Sequence, residues 1–471
     1  MKLGKLLPNT THDKVKIKSF TNNSAKVEKG DAFVAIKGDK TDGHNYIKDA
    51  IDRGASIIIC EKDSGFKNQL IVENSKAAYA TMCANYFKNP AEKLKLIGVT
   101  GTNGKTTITY LYKQILEEAG FKTGLIGTIN NHVGDKVYKS RLTTPDAFEL
   151  HELFSKMVKA GCKYVVMEVS SHALDQKRAH GLHFHQAIFT NLTQDHLDYH
   201  GTMENYLNAK KRLFKMCDNA IMNFDDEYCE KMREGLTAKV YSYAVNQIAD
   251  FMGKDCRFTP NGTSFMLVDD NNLTKITLPT LGLFSVYNAL AVTSGARLLG
   301  ISNETIAKAL SKVSVKGRVE IVPTSRDFTA VIDYAHTPDG LENILNALNR
   351  VKQGRLVALF GCGGDRDKTK RPLMGATAAR LSDKIIITSD NPRNEDPKSI
   401  IDDILAGIKK PACEVEVIEN RTEAIHSVIK TAKPNDIIVL CGKGHETYQI
   451  LKDETIDLDE REVIKQALQS L

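Results

Sequence analysis

The amino-acid sequence predicts a three-domain α/β protein. At about 100–200 residues per domain, a chain of 471 residues corresponds to about three domains. From Leu94 onward, short apolar runs alternate with amphipathic stretches, and continuous apolar strands are typical of parallel sheets covered on both faces. A composition of 42% hydrophobic and 26% charged residues suffices for buried cores and excludes intrinsic disorder or a small disulfide scaffold.

The first predicted domain is a small α/β domain over residues 1–88. Within it, residues 31–36 and 55–60 form apolar runs that predict strands, with helical stretches between them. Asn89-Pro90 predicts a linker, because the residue before a proline is disfavoured in a helix.

The second predicted domain covers residues 89–314 and contains a mainly parallel sheet. Its strands are predicted at 96–100, 164–169 and 186–190. A helix is predicted over 107–119 and ends at Gly120.

The third predicted domain covers residues 315–471, because the strand pattern restarts near Gly317. Strands are predicted at 330–333, 356–360, 384–388 and 436–440. Each is followed by a polar or glycine-rich loop, and helical stretches alternate with the strands, which indicates a Rossmann-like α/β domain.

Composition also limits the location and the partners of the chain. No run approaches the roughly 18 apolar residues of a membrane helix, and the first residues lack the apolar core of a secretory signal, so we expect a cytoplasmic protein without membrane insertion. The net charge of +6 is mild, and anionic small substrates explain it as well as nucleic acid does. Nine scattered cysteines without a CxxC pair are typical of free thiols in a reducing compartment.

The segment GVTGTNGKTT, residues 98–107, lies between a predicted strand and a predicted helix. Glycines allow backbone N–H groups to surround phosphate oxygens, and the helix N-terminus attracts anions. Lys105 would reach the outer phosphates, and the Thr106 hydroxyl would bind Mg²⁺. The strict GxxxxGK[ST] pattern fails at one position, where Val99 replaces glycine. The order of strand, GKTT and helix nevertheless favours an ATP-binding P-loop over a turn without a ligand.

Two downstream segments carry candidate partners for the phosphates. Glu168 ends an apolar strand, where a carboxylate beside a phosphate loop is a candidate Mg²⁺ ligand rather than a solvated strand end. The segment after the next strand holds four acidic or imidazole side chains that fit either a catalytic or metal-facing cluster or a polar loop: Asp195, His196, Asp198 and His200.

Seven motifs occur in the order GTNGKTT, MEVSSHAL, NLTQDHLDYHGTMENYLNAK, DYAHTPDG, FGCGGDRDKTKRP, SDNPRNEDP and GKGHETYQ. Together they resemble the Mur ligases of peptidoglycan synthesis, and the resemblance covers residues 24–449. It implies a domain for a UDP-sugar, a central P-loop ATPase and a C-terminal domain for an amino acid. It also implies the reaction: ATP phosphorylates the terminal carboxylate of UDP-MurNAc-L-Ala-D-Glu, and an amine attacks the acyl phosphate to form an amide.

The resemblance assigns catalytic roles to Lys105, Glu168, His196 and Lys210. It implies that Thr106 and Glu168 hold one Mg²⁺, and that Glu168 and His196 help to hold a second. Lys210 matches the lysine that the family carbamylates to N6-carboxylysine, whose anionic group can ligate Mg²⁺ or stand beside it. Without the resemblance, Lys210 would be interpreted as a solvated helix lysine.

The resemblance also implies binding residues for both nucleotides. The ATP contacts are Thr100, Gly101, Thr102, Asn103, Gly104, Lys105, Thr106, Thr107, Asn288, Arg318 and His336. The UDP-muramyl-dipeptide contacts are Ser24, Thr143, Thr144, Ser170, Gln176 and Arg178. Asn23-Ser24-Ala25 departs from the family's Asp-Ser-Arg at two positions, and the contact loop at 39–43 diverges as well.

The loop SDNPRN, residues 389–394, predicts the identity of the amino acid. Mur ligases that add meso-diaminopimelate carry Asp-Asn-Pro-Arg here, whereas those that add L-lysine carry another residue at the arginine position. Arg393 would bind the distal carboxylate of diaminopimelate and repel the ammonium of lysine. The implied amino-acid contacts are Arg366, Asp390, Asn391, Arg393, Gly442 and Glu446. Lanthionine presents the same two ends, so this reasoning leaves it as an alternative.

Other classes remain as competing hypotheses. A folylpolyglutamate synthase or the ligase MurF would share the phosphate loop, but neither is expected to carry both DNPR and GKGHE. A P-loop switch or nucleic-acid motor would need basic stripes with aromatic residues, which the sequence lacks. A binding protein with an inactive ligase fold is disfavoured by the intact Lys105, Glu168, His196 and Lys210. We expect a monomer that does not bind nucleic acid.

Overall fold

The computed structural model describes residues 1–38, 41–259, 262–270, 272–409 and 411–470. The first part contains a parallel four-stranded sheet in the order β1-β2-β3-β4. Its strands are β1 Phe20–Thr21, β2 Ala32–Val34, β3 Ile57–Cys60 and β4 Gln69–Ile71, and its helices are α1 Ile47–Asp52 and α2 Ser75–Tyr86. Asn89 follows with a left-handed backbone, and a short 3-10 turn begins at Pro90.

The central part is an eleven-stranded mixed sheet in the order β15-β14-β13-β12-β11-β10-β5-β9-β6-β7-β8. Its strands are β5 Lys95–Thr100, β6 Thr123–Ile126, β7 Asn130–Val133, β8 Lys136–Lys139, β9 Tyr164–Glu168, β10 Phe184–Phe189, β11 Cys217–Asn223, β12 Lys239–Ala244, β13 Phe251–Thr259, β14 Gly262–Asp269 and β15 Asn272–Leu278. Its helices are α3 Lys105–Glu118, α4 Ala147–Lys159, α5 Ser171–Asp175, α6 Leu197–His200, α7 Met203–Lys211, α8 Cys229–Arg233, α9 Leu283–Leu298 and α10 Asn303–Leu310.

The middle of this sheet, from β6 to β13, is parallel, as the continuous apolar runs predict. Both faces are covered, because Ile97 and Val99 of β5 pack in a core with α3 and α9 while Leu96 packs in a core with α4 and α7. Antiparallel strands extend both edges. The sequence analysis did not find these edge strands.

The third part is a six-stranded sheet in the order β16-β17-β21-β18-β19-β20, parallel except for β16. Its strands are β16 Glu320–Val322, β17 Thr329–Asp333, β18 Leu356–Phe360, β19 Lys384–Ile387, β20 Glu414–Val417 and β21 Ile437–Cys441, and the hairpin β22 Tyr448–Ile450 and β23 Thr455–Asp457 follows. Its helices are α11 Pro338–Asn349, α12 Lys370–Leu381, α13 Pro397–Leu405, α14 Arg421–Lys430 and α15 Glu460–Gln469.

Helices cover both faces of this third sheet: α11, α12 and α13 contribute to one core, and α14 and α15 to the other. The carboxyl ends of β17, β18, β19 and β21 therefore meet at one edge, where ligands bind in open α/β sheets. The predicted α/β class is confirmed in all three parts. Among the described residues, no helix is both long and apolar enough to cross a membrane.

Candidate active site

The phosphate loop connects β5 to α3, as predicted, although the helix begins two residues earlier, at Lys105. Gly101 and Gly104 have positive φ angles of 151° and 89°. A Cβ atom at Gly101 would lie 1.8 Å from Thr190 Oγ1, and one at Gly104 would lie 2.7 Å from Asn288 Oδ1. Glycine is therefore needed at both positions for the loop to pack against the sheet.

Two lysines, the half-buried Lys105 and the buried Lys210, meet at this loop. Lys105 Nζ donates to the carbonyl oxygens of Gly101 at 2.9 Å and Thr102 at 2.8 Å. Lys210 Nζ donates to the same Gly101 oxygen at 2.8 Å. Burial, followed by repulsion from Lys105, lowers the pKa of Lys210 well below its usual value, and burial also lowers the pKa of Lys105. A lowered pKa favours the neutral, nucleophilic amine over the ammonium.

Glu168 ends β9 with only 1% of its surface exposed. Its carboxylate accepts hydrogen bonds from the Thr106 hydroxyl at 3.0 Å and from the Thr128 backbone N–H at 2.7 Å and hydroxyl at 3.0 Å. A buried carboxylate beside a hydroxyl matches the preference of Mg²⁺ for oxygen ligands. The donor set of Thr106 and Glu168 therefore fits the metal that the resemblance implies.

His196, which was also predicted to bind metal, lies in the same cleft and has a left-handed backbone. Its Nε2 is 3.4 Å from the Asp195 carboxylate. Burial lowers the pKa of His196 to about 3, against the opposing attraction of Asp195, so its imidazole is neutral at pH 7. Among the residues that the structure describes, no three His, Cys, Asp or Glu side chains form a metal cluster. This is compatible with Mg²⁺, which usually keeps several waters and binds one or two protein carboxylates.

The third part of the chain contacts the phosphate loop directly. Arg318 Nη2 donates to Thr106 Oγ1 at 3.1 Å, and the Arg318 guanidinium lies 4.5 Å from the ring centre of Tyr334. Asp339, at the start of α11, accepts from Asn103 Nδ2 at 2.7 Å. These contacts join groups that are more than 200 residues apart in sequence.

Predicted ATP contacts line two cavities beside the loop, and Asn103, Gly104 and Arg318 line both of them. Asn288, Thr107 and Arg318 line a cavity of about 310 Å³, whose wall also includes the apolar side chains Leu283 and Phe284. His336 lines the second cavity with Lys105 and Glu168, and burial lowers its pKa to about 4. Thr100 is completely buried, and no partner for its hydroxyl is found among the described residues.

The second cavity, of about 300 Å³, joins the phosphate loop to all six predicted amino-acid contacts: Arg366, Asp390, Asn391, Arg393, Gly442 and Glu446. They come from the loops after β18, β19 and β21, as the strand pattern predicts. Gly442 has a φ of 111°, and a Cβ there would lie 2.5 Å from Asp390 Oδ2. The pKa of Arg393 is lowered by burial and by repulsion from Arg366, so a ligand carboxylate would relieve this repulsion.

Most of the predicted UDP-muramyl-dipeptide contacts lie in a third cavity and in the active-site cleft. Gln176 and Arg178 line a third cavity, of about 240 Å³, between the first and central sheets. Arg178 Nη1 donates to the Thr144 carbonyl oxygen at 2.9 Å. Thr143 and Ser170 line the active-site cleft near Glu168. The Ser170 hydroxyl also caps α5 by accepting from the Ala173 N–H at 3.2 Å.

Ser24 lies outside the lining of the third cavity, whereas Asn22, two residues earlier, is part of it. Of the divergent contact loop at 39–43, residues 39 and 40 lie outside the described residues. The structure thus brings together the residues predicted around the phosphate loop and the amino acid, and it leaves the uridine end without a defined set of contacts.

Several residues of the site were not predicted from the sequence. Thr128 carried no sequence signal, because it lies in an unremarkable turn after β6. Asp339 and Lys443 lie in the motifs DYAHTPDG and GKGHETYQ, and Lys370 in FGCGGDRDKTKRP, but none was singled out. Lys370 lines the active-site cleft, and Lys443 is completely buried beside it. For Asp339, Lys370 and Lys443, the motif around each residue was the sequence signal that could have identified it.

Three protein-family descriptions match the chain: Mur ligase middle domain over residues 99–296, Mur ligase, glutamate ligase domain over 317–444, and Mur ligase family, catalytic domain over 16–94. With full-length relatives at 48% identity, the chain belongs to the Mur ligase family, whose members are ATP-dependent amide ligases.

Two relatives share the name UDP-N-acetylmuramoyl-L-alanyl-D-glutamate--2,6-diaminopimelate ligase. The one from Clostridium botulinum is 48% identical over 98% of this chain and 96% of its own length. The one from Caldanaerobacter subterraneus is 47% identical over 99% of both chains. A solved structure of the same name has a TM-score of 0.71 at 32% identity, covering 100% of this chain and 99% of the other.

A more distant structure is the MurF ligase of Thermotoga maritima in complex with ADP. It has a TM-score of 0.63 at 18% identity and covers 97% of each chain. At this level of identity, the likeness establishes the shared three-part fold alone.

Proposed function

We propose that this chain adds meso-diaminopimelate to UDP-MurNAc-L-Ala-D-Glu in peptidoglycan precursor synthesis, with conversion of ATP to ADP and phosphate. The observation that carries the proposal is the shared cleft, in which Lys105 and Glu168 lie together with Arg393 and Glu446. Because oxide is a poor leaving group, an amine cannot displace it from a carboxylate, and the carboxylate must first be activated. A single cleft with phosphate-binding and amino-acid-binding groups suits activation followed by amide formation.

In the proposed reaction, the terminal carboxylate of the acceptor takes the γ-phosphoryl group of ATP. The amine of the amino acid then attacks the acyl phosphate, and phosphate leaves. Lys105, Arg318 and the backbone N–H groups of the loop would neutralise the phosphate oxygens. Thr106 and Glu168 would hold Mg²⁺, which supplies further positive charge to these oxygens when bound.

We propose that Lys210 carries a carbamate. Its burial beside Lys105 lowers its pKa and favours the neutral amine, the form that reacts with CO₂. The carbamate would replace repulsion between two cations by attraction, and it would provide an anionic oxygen near Glu168 and His196 for a second Mg²⁺. The neutral imidazole of His196 is the form that can ligate a metal.

The two remaining cavities accommodate the nucleotide parts of the substrates in this proposal. The adenosine part of ATP would occupy the cavity of Asn288, with its apolar wall. The UDP-muramyl part of the acceptor would occupy the cavity of Gln176 and Arg178, with Thr143, Thr144 and Ser170 guiding the peptide toward Glu168. Ser24 remains a proposed uridine contact by its motif position alone.

Amino-acid selectivity is proposed to depend on Arg393 and Arg366, whose mutual repulsion favours a ligand with a distal carboxylate. Asp390 and Glu446 supply the negative charge for the distal ammonium. Lanthionine has the same two ends and is the alternative substrate. The names of the relatives, which specify 2,6-diaminopimelate, support the first choice.

We also propose that the functional domains are residues 1–88, 89–314 and 315–471. Each proposed domain contains one of the three principal sheets, and the three family matches fall largely within these bounds. The protein is proposed to act in the cytoplasm as a monomer, without nucleic acid.

The test is phosphate release by the purified protein with ATP, Mg²⁺ and UDP-MurNAc-L-Ala-D-Glu. The amino acid is varied among meso-diaminopimelate, lanthionine, L-lysine and none, and the product mass is measured. Release that depends on meso-diaminopimelate supports the proposal. A preference for L-lysine would overturn the role of Arg393, and no release with any amino acid would overturn the ligase.

A further inference from the structure

Lys443 lies in the loop after β21, between Gly442 and Gly444, and its side chain has 0% exposure. Its Nζ donates to Asn391 Oδ1 at 2.7 Å and to Glu446 Oε2 at 3.1 Å. Asn391 and Glu446 both line the active-site cleft, whereas Lys443 is not part of the lining. The ammonium therefore lies one layer behind two side chains that face the amino acid.

The contacts around Asn391 determine which way its amide faces. Its Oδ1 accepts from Lys443 Nζ and also from the Ile450 backbone N–H at 2.9 Å. Its Nδ2 donates to Glu446 Oε2 at 2.9 Å. Since two donors face the oxygen and an acceptor faces the nitrogen, the amide cannot rotate by 180° without losing all three bonds. Asn391 thus has one remaining N–H for a ligand and acts as a donor.

The backbone around this cluster leaves Lys443 little freedom. Strand β22 holds the opposite loop, because Gln449 Nε2 donates to the Asp390 carbonyl oxygen at 2.5 Å and the Arg393 N–H donates to the Ile450 oxygen at 3.2 Å. A Cβ at Gly444 would lie 2.7 Å from the Tyr334 Cβ. The loop of Lys443 therefore packs closely against Tyr334, the residue directly after β17, which restricts the movement of the loop.

We propose that Lys443 is a positioning residue that determines selectivity for the distal head of the amino acid. This inference rests on the proposed function. By fixing Asn391 as a donor, Lys443 adds a second carboxylate-binding group beside Arg393. Lys443 also neutralises part of the negative charge of Glu446. This weakens the combined attraction of Glu446 and Asp390 for a side chain, such as that of lysine, whose distal end carries only an ammonium. Both effects favour a diamino diacid over lysine.

The first test substitutes Lys443→Met, which keeps the length of the side chain and removes the ammonium. We expect the KM for meso-diaminopimelate to rise about 10- to 100-fold, since the lost bonds involve charged and buried groups. The KM values for ATP and the acceptor should change less than about twofold. The ratio of kcat/KM for meso-diaminopimelate to that for L-lysine should fall at least about tenfold.

The matched control is Lys384→Met in β19. Lys384 is also buried in the third domain, and its Nζ pairs with Glu414 at 2.9 Å and Glu416 at 2.8 Å, away from the cleft. This variant should lose stability but keep the wild-type selectivity ratio. An equal change of the ratio in both variants would overturn the inference, because it would reflect a general loss of structure.

A second variant, Asn391→Asp, tests the donor role without removing Lys443. The carboxylate can still accept from Lys443 and from the Ile450 N–H, but it can donate neither to Glu446 nor to a ligand. We expect the KM for meso-diaminopimelate to rise by the same order as in Lys443→Met, and an unchanged KM would overturn the inference even if Lys443→Met fails to fold. Wild-type protein without diaminopimelate-dependent phosphate release would instead overturn the proposed function.

Discussion

Removing the Arg393 guanidinium is the sharpest test of amino-acid recognition. Arg393 is half-buried with a φ of 53°, and its Nη1 donates to the Gly364 carbonyl oxygen at 2.8 Å. This bond orients the guanidinium and leaves its remaining N–H groups for a ligand. The substitution Arg393→Met keeps most of the aliphatic stem and removes every donor.

The magnitude follows from what the substitution removes. A hydrogen bond to a charged group contributes about 1.5–3 kcal/mol, and truncating one partner of a buried charge pair costs about 2–5 kcal/mol. The repulsion from Arg366, which lowers the pKa of Arg393, is relieved when a carboxylate binds, so loss of Arg393 also removes this favourable contribution. We therefore expect a net loss of about 3 kcal/mol, or about 150-fold in kcat/KM for meso-diaminopimelate.

The assay is initial phosphate release at varied meso-diaminopimelate and L-lysine, with product masses recorded. The effect should appear in the KM for meso-diaminopimelate, while kcat/KM for L-lysine stays constant or rises because a repelling cation is gone. Arg380→Met is the control: Arg380 is exposed and pairs with Glu342 at 2.8 Å in the same domain. A loss below about threefold for meso-diaminopimelate, or an equal loss for both amino acids, would refute the reasoning.

Three further predictions concern other parts of the molecule. If Lys210 is a carbamate, degassed CO₂-free buffer should lower kcat reversibly, bicarbonate should restore it, and Lys210→Met should lose at least about 100-fold without responding to bicarbonate. His151 is buried, no hydrogen-bond partner for its ring is found among the described residues, and burial lowers its pKa from 6.5 to about 4. As the pH falls, the unfolded chain takes up this proton before the folded protein does, which destabilises the wild type. His151→Leu should therefore gain about 2 kcal/mol of stability relative to wild type between pH 7 and pH 5, measured by urea unfolding. Asp339→Ala removes the acceptor for Asn103 Nδ2, so solution scattering of the nucleotide-free variant should show a larger radius of gyration than wild type, and equal radii would count against this contact holding the domains together.

Much of the fold could be predicted because the parallel strands are continuous apolar runs. Residues 356–360 were predicted as a strand and form one, and the run at 164–168 differs from its prediction by one residue. The antiparallel edges were missed because strands such as Asn272–Leu278 carry exposed polar residues at alternate positions and lack a long apolar core. Edge strands face water on one side, so their sequence pattern is weaker.

The site could be predicted loop by loop but not as an assembled cleft. Each motif follows a strand, and the carboxyl ends of parallel strands share an edge, so the grouping within one sheet follows from the sequence. The hydrogen bond between Arg318 and Thr106 joins the third part of the chain to the central part. No periodicity in the sequence encodes the relative position of the sheets in these two parts. Thr128 and Lys443 were missed for a similar reason. Thr128 contacts Glu168, and Lys443 contacts Asn391, and each pair comes together only when the chain folds.

The contacts between the sheets bear on how the proposed acyl phosphate would be protected from water. Arg318 donates to the hydroxyl of Thr106, which in turn donates to Glu168, so one chain of hydrogen bonds runs from the third part of the chain to the carboxylate proposed to hold Mg²⁺. Separation of the domains would break this chain and expose the phosphate loop. With the domains in contact, the amino-acid loops cover the same cleft, and the attacking amine would arrive in place of water. In the proposed reaction, activation and amide formation would be coupled by geometry, because the groups proposed for both steps line one cleft where the third part of the chain lies against the loop.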